Sequence, residues 1–168
     1  MAVMEYLQEA QEISFLNTLE SGIPKIVLLA AASDLENRTQ ETLTTYYETC
    51  TQRAEFAVSF VTNKALKRQF HTFFKWEDRN ANQFFGLFGP RFKRKMRLAI
   101  EADQALAASI KDFCEIGDLR NQLVHRGYAT FLLEKTAAEV YGLYESALYF
   151  PDRLRNLLEE EEAEEGAL

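Results

Sequence analysis

Glycine and proline are scarce, 7 and 3 in 168 residues, and these are the residues that break helices and build tight turns. A chain so poor in them does not suit a hairpin-rich sheet. No sustained apolar-polar alternation, internal repeat or Asn-Gly hairpin signal is present either. Cysteine is just as sparse: Cys50 and Cys114 stand alone and far apart. That excludes a disulfide framework and a paired-cysteine metal knuckle, and it is the usage expected in a reducing cytoplasm. No apolar run approaches the roughly 20 residues that span a bilayer; the longest, "IVLLAAA" at 26–32, is far shorter. The opening MAVMEYLQEA lacks the basic segment and apolar core of an export signal, so a cytoplasmic location without a membrane partner is expected. Also missing are a glycine-rich phosphate loop and any metal-ligand spacing of His, Cys, Asp or Glu, so no cofactor and no metal are expected.

What is abundant is apolar and aromatic residues. They make up 47% and 12% of the chain, with 13 Phe and 7 Tyr, enough for one sizeable core at a length that fits one domain. The net charge of −7 argues against a non-specific nucleic-acid coat. Its distribution matters more: Glu159, Glu160, Glu161, Glu162, Glu164 and Glu165 are clustered at the end, and without them the body is close to neutral. "PRFKRKMR" at 90–97 meanwhile concentrates Arg91, Lys93, Arg94, Lys95 and Arg97. These five are candidate RNA-binding residues, although a solvated helix face would read the same way. The expected division is a helical domain at 1–156 and an acidic tail at 157–168.

The apolar spacing is helical throughout. Residues 3 to about 20 form a loose helix ended by Ser21-Gly22, and Pro24 suits the first turn of a new one. From 26 to 62 no breaker interrupts a spine helix whose apolar positions include Leu28, Leu35, Leu43, Phe56 and Phe60. Residues 62–90 read as short helices and a loop anchored by Phe70, Phe73, Phe74, Trp76, Phe84, Phe85 and Phe88. A helix opened by Pro90 carries the basic run and continues through Leu106, Ile110, Phe113, Ile116 and Leu119 to Val124, where Gly127 suits the exit. A last helix places Leu133, Ala137, Val140, Tyr144 and Ala147 on one stripe before Pro151. The fold class is all-α, an up-and-down helical bundle with a long spine helix and short aromatic-rich helices.

The chemistry is concentrated in "GDLRNQLVHRG" at 117–127, which holds one of only two histidines. On a helix Asn121 and His125 share a face, about 40° apart, and Arg120 lies about 140° from His125 with a side chain long enough to reach around. A guanidinium grips a phosphate, an amide orients an oxygen or an imidazole, and an imidazole moves a proton near neutral pH. These are the parts for phosphodiester cleavage. Spacing alone also fits a histidine that merely answers the helix dipole. The other histidine, His71, sits between Phe70 and Phe73, which points to a packed aromatic environment rather than catalysis.

Arg120-Asn121-Gln122-Leu123-Val124-His125 resembles the Arg-x4-His motif of the HEPN superfamily of helical ribonucleases and nucleotide-binding modules. The spine segment "SDLENRTQETLTTYYE", the aromatic segment "LKRQFHTFFKWEDRNANQFFGLFGPRFK" and the motif follow in the order of its RiboL-PSP branch, covering about 24 to 150. The resemblance implies a homodimeric bundle, paired through the motif-bearing helices, whose two motifs line one cleft. It also implies an RNase acting as a toxin or in antiviral defence, with an antitoxin or regulatory protein as a further partner. By the same resemblance Arg120, Asn121 and His125 are catalytic: His125 transfers a proton, Arg120 holds the scissile phosphate, and Asn121 positions the histidine or a phosphate oxygen. Glu36 and Asp118 are candidates to support them.

The expected function is a metal-independent endoribonuclease cutting RNA through its 2′-hydroxyl. The alternative is a non-catalytic module that binds nucleotide, RNA or a protein partner in the same cleft, since some HEPN members bind without cutting.

Overall fold

The computed structural model describes the backbone of residues 2–165 and the side chains of residues 3–160. The described residues form helices without a strand: α1 (Ala2–Glu9), α2 (Ile13–Cys50), α3 (Glu55–Val61), α4 (Lys67–Gln69), α5 (Asn82–Gly86), α6 (Gly89–Ala102), α7 (Gln104–Arg126), α8 (Ala137–Ala147) and α9 (Tyr149–Glu165). A π-helical turn at Thr62–Leu66 joins α3 to α4, and two 3-10 turns, Phe70–Thr72 and Trp76–Asp78, follow. Helices α2, α7, α8 and α9 pack on one another as a bundle, and the short aromatic elements close one side against α7.

Several boundaries differ from the sequence expectation. The spine helix begins at Ile13 and runs through Ser21, Gly22 and Pro24 without ending. An interior proline costs a helix about 3 kcal/mol, yet Pro24 is buried against the bundle, and packing outweighs the local preference. The true break lies before it, at Gln11, with φ 57°. At the other end α2 stops at Cys50, because Gln52 and Arg53 both adopt left-handed backbone, with φ 51° and 59°. No Gly or Pro marks that turn. Phe56 and Phe60 consequently leave the spine and stand on α3, 88% and 70% exposed.

The helix expected from Pro90 to Val124 is likewise two helices. Asp103 has extended backbone, and its carboxylate accepts from Ala105 N at 2.9 Å and Leu106 N at 3.1 Å, capping α7. The Tyr149 hydroxyl donates to the same carboxylate at 2.8 Å. This bond first, then the backbone donors, hold the Asp103 carboxyl below its ordinary value. The last helix begins at Ala137, later than its stripe implied. Thr136 caps it in a reciprocal box: Glu139 N donates to Thr136 Oγ1, and Thr136 N donates back to Glu139 Oε2 at 2.8 Å. Helix α9 then carries Pro151 in its first turn and extends into the acidic segment.

The core follows the aromatic pattern. Phe70, Phe74, Trp76, Phe84 and Phe85 are buried, and Phe73 and Phe88 pack against them. Phe74 is the hub, with ring centroids 4.6 Å from Trp76, 4.7 Å from Phe84 and 5.2 Å from Phe113. Phe113 then meets Phe150 of α9 at 5.1 Å. Leu157 and Leu158, inside the expected tail, are also buried. The side chains from Glu161 onward, and all of Gly166 to Leu168, lie outside the described residues.

By length and composition α2 is the one described helix apolar enough to cross a membrane, which the short apolar runs had not suggested. Leu28, Leu35 and Leu43 are buried in the protein core, and Asp34, Glu36 and Arg38 lie along the same helix.

Candidate functional site

The cleft that gathers the chemistry lies between α2 and α7. Phe113, Gly117, Arg120 and Asn121 recur on one stripe of α7, at the spacing that stacks side chains along a helix face. From α2 come Leu35 and Glu36, and from the aromatic segment Phe70, His71 and Trp76. The cleft is narrow, with about 370 Å³ of free space counting the part open to solvent.

Gly117 shapes its floor. A Cβ placed there would sit 2.0 Å from Trp76 Cε3 and 2.2 Å from Cζ3, so the indole occupies the notch that the missing side chain leaves. Phe74 and Phe113 flank the ring, and Trp76 Nε1 donates to the His71 carbonyl at 3.1 Å. The segment 70–76 is thereby seated on α7 one turn before Arg120.

Within the cleft Arg120 Nη1 donates to Asn121 Oδ1 at 3.1 Å. The asparagine oxygen thus steadies the guanidinium, and its amide nitrogen retains donor capacity. Glu36 is supported by Gln40, whose Nε2 donates to Glu36 Oε1 at 2.9 Å. One guanidinium, one amide and one carboxylate therefore converge on an aromatic floor, the elements for holding a phosphate with an attached ring or sugar.

His125 is placed differently. It stands exposed in the last turn of α7, outside the residues lining the cleft. The chain beyond it is firmly held. Gly127 exits the helix with φ 85°, a conformation costly for a side chain. Thr130 Oγ1 donates to the Arg126 carbonyl at 2.5 Å, and Lys25 Nζ reaches from α2 to the Tyr128 carbonyl at 2.8 Å. The Lys25 ammonium also lies 5.2 Å from the Tyr128 ring centroid, and the Tyr128 hydroxyl donates to the Gly22 carbonyl at 3.2 Å. Lys25, only 7% exposed, is a buried cation satisfied by this loop.

Of the supporting candidates, Glu36 is in the cleft. Asp118 is not: it accepts from Gln122 Nε2 at 2.9 Å. Glu115, nearly buried in α7, holds Arg79 at 2.9 Å and Lys135 at 3.0 Å, tying the aromatic segment and the loop before α8 to this helix. No motif marked Glu115 or Lys25, and Gly117 opened the 117–127 stretch without a role assigned to it. The basic stretch is divided by its own helix: Phe92 and Met96 point into the core, and Lys93, Arg94 and Arg97 line a separate groove with Asn82 and Pro90. Arg91 is exposed. Lys95 instead turns to α9, donating to the Leu157 carbonyl at 3.0 Å and standing 3.7 Å from Glu160.

His71 is the main departure from expectation at the site. It is exposed rather than enclosed by its aromatic neighbours, and it lines the cleft. Among the described residues no group of three or more His, Cys, Asp or Glu side chains is arranged to hold a metal ion.

No curated protein and no solved structure matches the chain. The family model RiboL-PSP-HEPN matches residues 5–160, nearly the whole chain, and the protein therefore belongs to the RiboL-PSP-HEPN family.

Proposed function

We propose that this protein is a metal-independent endoribonuclease that cuts RNA through the substrate's own 2′-hydroxyl. The observation that carries this reading is the pairing of Arg120 with Asn121 inside a cleft that also holds Glu36, on the helix whose last turn presents His125. Arg120 grips the scissile phosphate and offsets the charge that grows as the 2′-oxygen attacks, while Asn121 steers the guanidinium. His125 transfers a proton. Holding the 2′-hydroxyl against the phosphorus makes the attack intramolecular, so no bound hydroxide is required.

A second copy of the chain belongs to the same proposal. His125 is outside the cleft of its own chain, and Val124, Tyr128 and Leu132 beside it are 55%, 46% and 77% exposed. A two-fold pairing of α7 against α7 covers these residues and juxtaposes two motifs. The cellular setting that suits such an enzyme is a cytoplasmic toxin or antiviral effector held in check by a partner protein.

The test is incubation of the purified full chain with total cellular RNA in excess EDTA. Expected are new ends carrying a 2′,3′-cyclic phosphate and a 5′-hydroxyl. His125→Ala and Arg120→Ala should each slow cleavage by ~10² or more. A 2′-deoxy substitution at the scissile nucleotide should block cutting while leaving binding largely intact. Cleavage of the deoxy strand, or loss of activity on chelation, overturns the mechanism. One observation favours a binding module instead: His125, the proton-transfer group, stands outside the cleft that holds Arg120. Nucleotide-induced stabilisation without turnover would establish that reading.

A further inference from the structure

Cutting RNA through its 2′-hydroxyl requires two proton transfers. The 2′-oxygen loses a proton as it bonds to phosphorus, and the 5′-oxygen gains one as its bond to phosphorus breaks. No other reactant is consumed, and the products are a 2′,3′-cyclic phosphate and a 5′-hydroxyl. The Arg-Asn-His motif supplies one imidazole per chain. We propose that His71 is the second proton-transfer residue, acting from the cleft of its own chain on a phosphate that the His125 of a paired copy also reaches.

The inference rests on the ribonuclease reading and on three observations. His71 is the chain's only other histidine, and it is exposed on the same cleft as Arg120, Asn121 and Glu36. Its backbone position is fixed relative to Arg120: the His71 carbonyl accepts from Trp76 Nε1 at 3.1 Å, and the Trp76 ring fills the notch at Gly117 in the turn preceding Arg120. The next residue is held as well, since Gln83 Nε2 donates to the Thr72 carbonyl at 2.7 Å. Third, Glu36 provides a carboxylate in the cleft, steadied by Gln40. In this proposal Glu36 accepts from one His71 ring nitrogen, which fixes the imidazole tautomer and directs the other nitrogen at substrate. Built this way, the cleft joins an acid-base group from the aromatic segment to the phosphate grip of α7, and tight seating of Trp76 on Gly117 becomes a catalytic requirement as well as a packing one.

The competing arrangement takes both proton-transfer groups from the two His125 residues of paired copies and leaves His71 without a role. The pH dependence of kcat/KM on a short RNA oligonucleotide cut by the full-length wild type distinguishes the two. We expect a bell-shaped profile for wild type, a rate lowered by ~10² with one limb missing for His71→Gln, and loss of the other limb for His125→Gln. A matched oligonucleotide with sulfur in place of the bridging 5′-oxygen has a leaving group that needs no proton, and it should rescue one of the two variants and not the other. Because His71 is exposed, His71→Gln should melt like wild type with unchanged Trp76 fluorescence. Wild-type rate with both limbs retained in His71→Gln, or sulfur rescue of neither variant, overturns the assignment while leaving the ribonuclease reading in place. A wild type that cuts no RNA overturns both.

Discussion

Replacing Gly117 by alanine is the sharpest test of how the cleft is built. In an ordinary helix interior this change stabilises by about 1 kcal/mol, because glycine surrenders more backbone freedom on folding. Here the new Cβ would lie 2.0 Å from Trp76 Cε3 and 2.8 Å from Cδ2. To reach a normal carbon-carbon separation of ~3.5 Å the ring must retreat by about 1.5 Å. It has nowhere to go: Phe74, Phe113 and Phe70 surround it with centroids at 4.6, 5.9 and 6.2 Å, and its Nε1 is bonded to His71. Overpacking of this kind costs about 1–3 kcal/mol, occasionally more. Taking ~3 kcal/mol against the ~1 kcal/mol propensity gain leaves a net loss of ~2 kcal/mol. For a domain of this size that lowers Tm by about 4–8 °C. Gly142 is the control: it lies inside α8, and a Cβ added there would meet nothing within 4 Å, so Gly142→Ala should raise Tm by about 2–4 °C. Thermal melts followed by circular dichroism give the comparison. Trp76 is the chain's single tryptophan, so its emission reports directly on displacement and should shift to the red in Gly117→Ala. A Gly117→Ala protein at least as stable as wild type, with unchanged emission, refutes the account of the cleft floor.

Asp103→Ala removes the cap of α7 and should lower Tm at neutral pH. The folded-state carboxyl of Asp103 is held low, chiefly by the Tyr149 hydroxyl; its stabilisation is present above the unfolded value and lost as pH falls through the folded one. Urea titrations should therefore show the gap between variant and wild type closing on acidification, and Tyr149→Phe should shrink the pH-dependent part. Buried Cys114 has its thiol pushed up to about 12 by desolvation, so a thiol reagent should label only exposed Cys50 until denaturant is added. Truncation after Leu158 keeps the buried leucines but removes Glu160 from Lys95 and Arg153. It should strengthen RNA binding at low salt and change it little at high salt, as read by fluorescence anisotropy.

The helical class was legible because the apolar residues keep a period near 3.6 and few glycines or prolines interrupt them. The aromatic anchors were legible for a related reason: rings that large must be buried somewhere. Two boundaries were written in the sequence as caps, Asp103 before α7 and Thr136-x-x-Glu139 before α8. The apolar stripes on either side were continuous enough to hide them. Others carried no local mark. The turn at Gln52 and Arg53 uses left-handed backbone without glycine, and Pro24 stays helical because the bundle holds it.

The site divides along the same line. Residue type and spacing along α7 determined that Arg120 and Asn121 adjoin and that His125 follows one turn later, since helix geometry fixes neighbours within a few residues. Only the tertiary structure decided which neighbours share a cleft. Glu36 and His71 come to the cleft of Arg120 from other elements, Trp76 takes the place of a side chain at Gly117, and Lys25 holds a carbonyl 103 residues away. Such contacts depend on how whole helices are seated against one another, and periodicity within a helix says which face is apolar without saying what will meet it.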